Sequence, residues 1–495
     1  MSANESGPGI SRRDFLGRAS AVALFSGVAA GSRHAAGREL SLLQFDRGRL
    51  VDESGREVLL RGINAGSWFL VEPWICGISI PLKSYLRLLA RQCGVEDILK
   101  QAFARVGMFD DDTMRLPEYL DRLTGAVEQM GVGPGSGAFR ERLQQEPPVL
   151  DAVSLDRLLR SRFGGAGADT FWNAFHSSWI TGEDLNAVRA AGFNFIRLPF
   201  WYRWLESDSA PGIIQEAGLQ LLATAVAGAA EAGLYVLLDL HGAPGGQSMW
   251  DHTGEMGRNL FFGSPALQER AAALWQAVAR HFQHEPAVVG YDLLNEPAGA
   301  EDIDEWTRAH DRLYRAIREV DPDRLIVMED GYKTEEPRYA LKGWFPKPQE
   351  TGWRHVMYSL HFYKTGSFSV HERHARLMKR LALRERDRCG VPVYIGEFNP
   401  IEDSPDGLRA MAHYGRVFSE SGIHWSPWTL KYCGEDAART LWGLRRCREP
   451  WEPLDPYHDD LETLVTKIRR YRDTRYFTTH EGYVSEMKSV LTATG

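Results

Sequence analysis

From about residue 182 the chain alternates between two hydrophobic periods: short apolar runs of strand length, and stretches with apolar residues three and four apart. Glu183–Ala191 reads as a helix and Phe193–Pro199 as a strand. A helix over 217–232 precedes the strand Leu234–Leu240, and one over 265–283 precedes a strand ending at Asn295-Glu296. A helix over 302–319 leads to Leu325–Met328, followed by a strand near Val356–Leu360 and a helix over 371–388. Next come a strand ending at Glu397, a helix over 406–420 and the apolar run Ile423–Trp428, with 457–472 as a closing helix. With Val58–Asn64 ahead of the series, the apolar strands number eight. Strand–helix alternation predicts a parallel sheet, and eight repeats predict closure into an α/β (β/α)8 TIM barrel. A doubly wound open sheet would want a Gly-rich phosphate loop after its first strand, and the sequence has none.

Three regions fall outside this rhythm. Residues 42–60 read as a hairpin with Asp52-Glu53-Ser54-Gly55 as its turn. Residues 84–165 are helical and irregular, with a Gly-rich break at Gly131–Gly137, which predicts a mostly helical insertion after the first strand with a flexible tip. At the start, Ser11-Arg12-Arg13-Asp14-Phe15-Leu16 precedes the apolar, small-residue run Ala19–Ala30. That run is too short for a comfortable membrane span and resembles a twin-arginine export signal, with cleavage points after Ala30 or Ala36. The expected division is a signal segment over 1–36, one barrel domain over 42–475 and a C-terminal tail over 476–495, in a periplasmic or extracellular protein.

Composition narrows the partners. With 43% hydrophobic and 25% charged residues the 495-residue chain has an ordinary globular balance. A formal charge of -8 gives no electrostatic reason to bind nucleic acid or an anionic membrane. Fifteen Trp and 17 Tyr suit carbohydrate-binding faces and large cores alike. Cys76, Cys93, Cys389, Cys433 and Cys447 are odd in number and share no metal-ligand spacing, so neither a metal nor a cofactor is expected. Pairing of Cys433 with Cys447 in an oxidising compartment stays open.

The chemistry gathers where the strands end. Val289-Gly290-Tyr291-Asp292-Leu293-Leu294 stops at Asn295-Glu296-Pro297, and proline can neither extend a ladder nor leave its predecessor helical. Val391–Pro400 repeats the arrangement around Glu397. Two carboxylates at two strand ends are the equipment of glycoside hydrolysis, one as acid and one as nucleophile or base. Barrel chemistry sits at the C-terminal strand ends. Those positions hold Arg197, His241, Asn295, Glu296, His361, Tyr363, Glu397 and Trp428, a set too polar for a core and too varied for a solvated rim.

In type and strand order these eight residues resemble the family 5 glycoside hydrolases of the retaining (β/α)8 clan, over about 45–445 apart from the insertion. The resemblance implies that Glu296 is the acid/base and Glu397 the nucleophile, with carboxyl groups about 5–5.5 Å apart. It further implies that Arg197 and Tyr363 hold Glu397 ionised, Asn295 bonds the sugar 2-hydroxyl and Trp428 lies under the ring. His241 and His361 would position hydroxyls or tune Glu296. Arg61–Trp68 with Glu72-Pro73-Trp74-Ile75, His241–Gln247, Trp172, Phe175 and Trp179-Ile180-Thr181 are similar to the exo-β-1,3-glucanase branch. Ala65 and Ser67 depart from it, standing where that branch has a bulkier residue and a Gly. The implied protein is a secreted retaining β-glycosidase acting on β-glucan-like oligo- or polysaccharide, with exo action if the insertion roofs one end of the cleft. Endo-glucanase, mannanase and glycolipid-cleaving relatives share the catalytic set, and a non-catalytic carbohydrate-binding barrel is the alternative of another class.

Overall fold

The computed structural model describes residues 40–46, 48–78, 82–107, 116–131, 133–333, 336–337, 342–434, 436–448 and 452–492. The signal-like segment lies outside the described residues. Eight parallel strands follow one another: β1 Gly62–Asn64, β2 Phe195–Trp201, β3 Tyr235–Gly242, β4 Val288–Asp292, β5 Leu325–Glu329, β6 Val356–Tyr363, β7 Val393–Asn399 and β8 His424–Trp425. Each pairs with the next. The ring closes where Arg61 bridges Trp425 in parallel, Trp425 N–H donates to Leu60 O at 3.0 Å and Asn64 N–H to Pro427 O at 3.1 Å. The fold is a (β/α)8 barrel.

β1 is shorter than the apolar run Val58–Asn64 predicts, because side chains take over its ladder. Leu60 N–H donates to Nδ1 of His424 and Arg61 N–H to Oδ1 of Asn194. The segment after β1 carries α1 Leu82–Gln92, α2 Glu96–Val106, α3 Leu116–Met130 and α4 Pro134–Gln145, which share a core of their own around Leu86, Leu99, Leu123, Val127 and Phe139. α5 Ala152–His176 then returns to the barrel. Residues 133–137 of the Gly-rich run are packed instead of forming a loose tip. Pro134 opens α4, and a Cβ on Gly135 would fall 2.5 Å from Cys93 O, so small residues here permit close packing.

The outer ring is α6 Gly182–Ala191, α7 Glu216–Glu231, α8 Pro265–Phe282, α9 Ile303–Arg318, α10 Phe368–Cys389, α11 Pro405–Ser419 and α12 Leu461–Arg469. Within the expected C-terminal tail, residues 476–492 are instead structured. Phe477–Thr479 pairs antiparallel with Arg445–Cys447, and α13 Glu481–Leu491 packs on α6 and α11. It buries Tyr483, Val484, Met487, Val490 and Leu491, a spacing that lines one helix face. The predicted single hairpin near the start is a three-limbed meander: Gln44–Asp46 pairs with Arg49–Val51, and a second turn at Asp52–Gly55 brings Glu57 back to bridge Val51. Its Leu43 and Leu50 plug the barrel floor. Cys433 and Cys447 directly follow the register pairs Lys431–Arg445 and Tyr432–Arg446, and both are free thiols. No helix among the described residues is long and apolar enough to cross a membrane.

The two-residue period of the strands explains what the barrel holds. Inward positions alternate along a strand, so Leu237, Asp239 and His241 of β3 point the same way, as do Val327 and Glu329 of β5 and Met357, Ser359, His361 and Tyr363 of β6. The lower members join the apolar floor cluster with Phe195 and Val289. The upper members are polar and meet at the C-terminal mouth.

Candidate active site

The hub of the mouth is Arg197 on β2, wholly buried. Its guanidinium meets four carboxylates: Asp292 at 2.8 Å, Glu329 at 2.6 Å, Glu397 at 2.8 Å and Asp239 at 3.0 Å. It also donates to Oδ1 of Asn295 at 2.8 Å and Oδ1 of Asn64 at 3.1 Å. Burial alone would loosen its proton, but Asp239, Glu329, Asp292 and Glu397 outweigh that and keep it charged. One cation cannot balance four buried anions, so some of the carboxyls hold protons. Burial pushes Asp239 up to about 7 against the pull of Arg197, and Asp292 up to about 6. Oxygens of Asp239, Asp292 and Glu329 lie within 4.8 Å of one another, a metal-like set. Arg197 bonds all three, so the guanidinium serves them as the cation.

Glu296 and Glu397 arrive by different backbone devices. β4 ends at Asp292, so Glu296 stands four residues beyond the strand, with φ of 40°. That left-handed conformation in a non-glycine residue costs about 1–3 kcal/mol and is sustained by its surroundings. Its N–H donates to Oε2 of Glu329 at 2.8 Å, and the N–H of Asn295 to Leu240 O at 3.1 Å. On β7 the register slips by one residue between the pairs Leu360–Ile395 and His361–Glu397, a bulge that re-aims Glu397. Gly396 is the residue passed over, and a Cβ there would fall 2.5 Å from Nε2 of His361 and 2.5 Å from Oγ of Ser359.

All eight sequence-predicted residues come together. Each catalytic candidate carboxylate is only 4% exposed. An oxygen of Glu296, an oxygen of Glu397 and a ring nitrogen of His361 lie within 4.8 Å of one another. Tyr363 donates its hydroxyl to Oε2 of Glu397. His361 Nδ1 is 2.9 Å from Oε1 of Glu296. His241 Nδ1 is 2.7 Å from the Asp239 oxygen that Arg197 also approaches, which makes that oxygen an acceptor and places the ring proton on Nδ1. Trp428 stacks one face on His241, with centroids 5.4 Å apart and planes at 14°. Asn295 spends its oxygen on Arg197, while its buried amide nitrogen has no protein partner.

Burial, then Glu397, raise the proton affinity of Glu296 well above the usual carboxylate range. Burial also raises Glu397 above its usual range, against the pull of Arg197 and the Tyr363 hydrogen bond. Burial and Arg197 keep His361 and His241 neutral, the latter down to about 3. The pair is therefore poised asymmetrically, with Glu296 holding its proton more tightly than Glu397.

Sequence reasoning missed several participants. Asp239, Asp292 and Glu329 are charged residues in or closing apolar strands, and that mismatch was itself a signal of a buried partner. His252, in a short turn after β3, sits 3.4 Å from Oε2 of Glu296 and 3.1 Å from the Ser248 hydroxyl. Nothing in its local pattern announces it. Glu72, quoted only for its motif, is buried beside the site; it accepts from Trp74 at 3.1 Å and leaves Oε1 unpartnered. Burial, Asp251 and Glu397 raise its proton affinity. Ser67 has φ of 59°, a conformation that favours Gly, and its hydroxyl accepts the N–H of Glu72 at 3.2 Å.

The family model "Cellulase (glycosyl hydrolase family 5)" matches residues 161–434. A β-xylosidase of Phanerodontia chrysosporium is 28% identical over 297 residues, covering 55% of this chain and 60% of that protein. A probable glucan 1,3-β-glucosidase A of Aspergillus fumigatus is 28% identical over 200 residues, 39% of this chain and 46% of that protein. The chain thus matches about half the length of these curated relatives. The crystal structure of an endogalactoceramidase is similar in fold, with a TM-score of 0.50 and 17% identity, covering 91% of this chain and 85% of that one. Since the family model spans more than half of the sequence, and its span includes both strand-end glutamates, the chain belongs to glycosyl hydrolase family 5.

Proposed function

We propose that the protein is a retaining β-glycosidase that releases sugar from the ends of β-1,3-glucan-like chains. The observation that carries the retaining part of the reading is the closeness of Glu296 and Glu397, with oxygens inside 4.8 Å. Retaining sites hold their carboxyls about 5–5.5 Å apart, whereas inverting sites need about 6.5–9.5 Å to admit a water. Glu397 attacks the anomeric carbon while Glu296 passes its proton to the leaving oxygen, giving a glycosyl-enzyme. Glu296, now ionised, takes a proton from water, which displaces Glu397 with a second inversion. Arg197 and Tyr363 favour the ionised nucleophile. The free amide nitrogen of Asn295 is a donor for the sugar 2-hydroxyl, a contact that strengthens in the oxocarbenium-like transition state. Trp428, backed by His241, supplies an apolar face for the ring.

Exo action is supported by the burial of both carboxyls and by the aromatic rim. Half-buried Trp74 and Trp442 pack edge to face at 5.5 Å, and Trp442 lies 5.4 Å from Tyr363. The insertion reaches the same mouth: Asp151, which caps α5, accepts from Met256 N–H at 2.8 Å, and Val153 N–H donates to Gly254 O at 2.9 Å, in the loop that carries His252. The β-1,3-glucan part of the reading rests on the relatives named glucan 1,3-beta-glucosidase. A glycolipid-cleaving reading wants an apolar patch beside the site. The exposed large apolar side chains among the described residues (Leu42, Leu88, Ile213, Leu260 and Trp344) belong to five separate segments. The test is hydrolysis of β-1,3-, β-1,4- and β-1,6-glucans, mannan and a glucosyl lipid with product analysis. Single sugars from the β-1,3 polymer are expected. Random-length products, or preference for the lipid, would overturn the reading.

A further inference from the structure

Glu296 must hold a proton in the free enzyme and lose it in mid-cycle, and a histidine faces the oxygen concerned. A neutral imidazole carries one ring proton. Were it on Nδ1 of His361, the ring would donate to Oε1 of Glu296 and favour the carboxylate. On Nε2, it leaves Nδ1 as an acceptor for the protonated acid. The tautomer therefore biases Glu296 one way or the other.

The far side of the ring decides the tautomer. Nε2 of His361 is buried without a partner at hydrogen-bond geometry, and Oε2 of Glu329 stands 3.4 Å from it. That same Oε2 accepts the N–H of Glu296, while Oε1 accepts from Arg197 at 2.6 Å. Asp292 faces the same carboxyl group from β4. Oε2 is thus already used as an acceptor, and its second lone pair is the one that faces Nε2 of His361. Ser359 Oγ is also buried near Nε2, but a hydroxyl donates and accepts equally and leaves the tautomer open. We propose that Glu329 is a positioning residue for the acid/base, holding His361 as its Nε2–H tautomer so that Nδ1 accepts from protonated Glu296. Once the proton has gone, the lone pair on Nδ1 faces an anion and favours its reprotonation by water. The proposal rests on Glu296 being the acid/base.

The other charged or titratable groups facing Glu296 and His361 are Arg197, Asp239, His241, His252, Glu397 and Glu72. All are common to the wild type and the variants below. In wild-type protein labelled with 15N-histidine, the His361 signal, assigned by its loss in His361→Gln, should show a protonated Nε2 and a bare Nδ1. A protonated Nδ1 in the free enzyme would overturn the proposal, whatever any variant does. Glu329→Leu should move the basic limb of kcat/KM down by a pH unit or more and slow poor leaving groups at least tenfold. Aryl glycosides, which need no proton, should be slowed several-fold less than poor leaving groups. Glu329→Gln, with an amide oxygen in place of Oε2, should sit nearer wild type. Equal shifts in the two variants, or equal slowing of both substrate types, would mean that Glu329 acts through charge or packing alone. If Glu296→Gln itself shows no dependence on leaving group, the acid/base reading has failed, which is a different outcome.

Discussion

Tyr363→Phe isolates one of the forces that keep the nucleophile ionised. The phenol donates to Oε2 of Glu397, while Arg197 holds Oε1 at 2.8 Å and is untouched by the change. A hydrogen bond to a charged acceptor is worth about 1.5–3 kcal/mol, and 1.36 kcal/mol corresponds to one pH unit. Complete loss would raise the proton affinity of Glu397 by about one to two units. Tyr363 is half-buried, so water can occupy the vacated position and recover part of this, leaving about one unit. The sign follows from the mechanism: losing a donor to the charged form favours the protonated form, so the acid limb of kcat/KM moves up. One unit below the wild-type limb the variant should be about tenfold slower than wild type, with the rates converging toward neutral pH. The assay is a pH–rate profile on an aryl β-glucoside, whose leaving group removes Glu296 from the comparison. An acid limb that stays in place, with uniform slowing at every pH, would refute the claim that Tyr363 tunes the nucleophile.

Three further outcomes follow from the same geometry. Glu296→Gln should lose most activity on glucan but retain it on substrates with good leaving groups, with added azide accelerating turnover by replacing water; equal loss on both would reject its role as the acid. Asp239, raised from 3.8 to about 7, carries a stability contribution present below about pH 4 and lost as pH rises through 7, at most about 4 kcal/mol. Thermal melts should therefore show Asp239→Asn gaining on wild type between pH 4 and 8, and a pH-independent gap would contradict that. We also propose twin-arginine export, motivated by Arg12, Arg13 and the short apolar run; changing both arginines to Lys should retain the protein in the cytoplasm, and unchanged export would reject it.

The barrel was legible because buried parallel strands are written as continuous apolar runs, and Phe195-Ile196, Leu237-Leu238 and Leu325–Met328 interrupt helical spacing too clearly to be missed. The eight site residues were legible because strand ends in a barrel converge. What escaped notice was local or long-range. The contraction of β1 depends on side chains of Asn194 and His424, more than 130 and 360 positions away, taking its ladder bonds. The approach of His252 to Glu296 is made by a turn with no periodic signal. The helical face of Tyr483, Val484, Met487, Val490 and Leu491 is present in the sequence, but it lies beyond the expected closing helix and outside the strand–helix repeat. Asp239 and Asp292 stand inside apolar strands, where an acid is costly unless a cation waits beside it. Arg197 is that cation, for both.

The central claim is that Glu397 bonds to the sugar, and the configuration of the first-formed product tests it most directly. With oxygens of the two carboxyls inside 4.8 Å, the site has the spacing of a retaining enzyme, which works by two displacements. Proton NMR in the first minutes of hydrolysis, before mutarotation, should show the β-anomer released from a β-linked substrate. Initial release of the α-anomer would contradict the account, because Glu397 would then be a base that activates water.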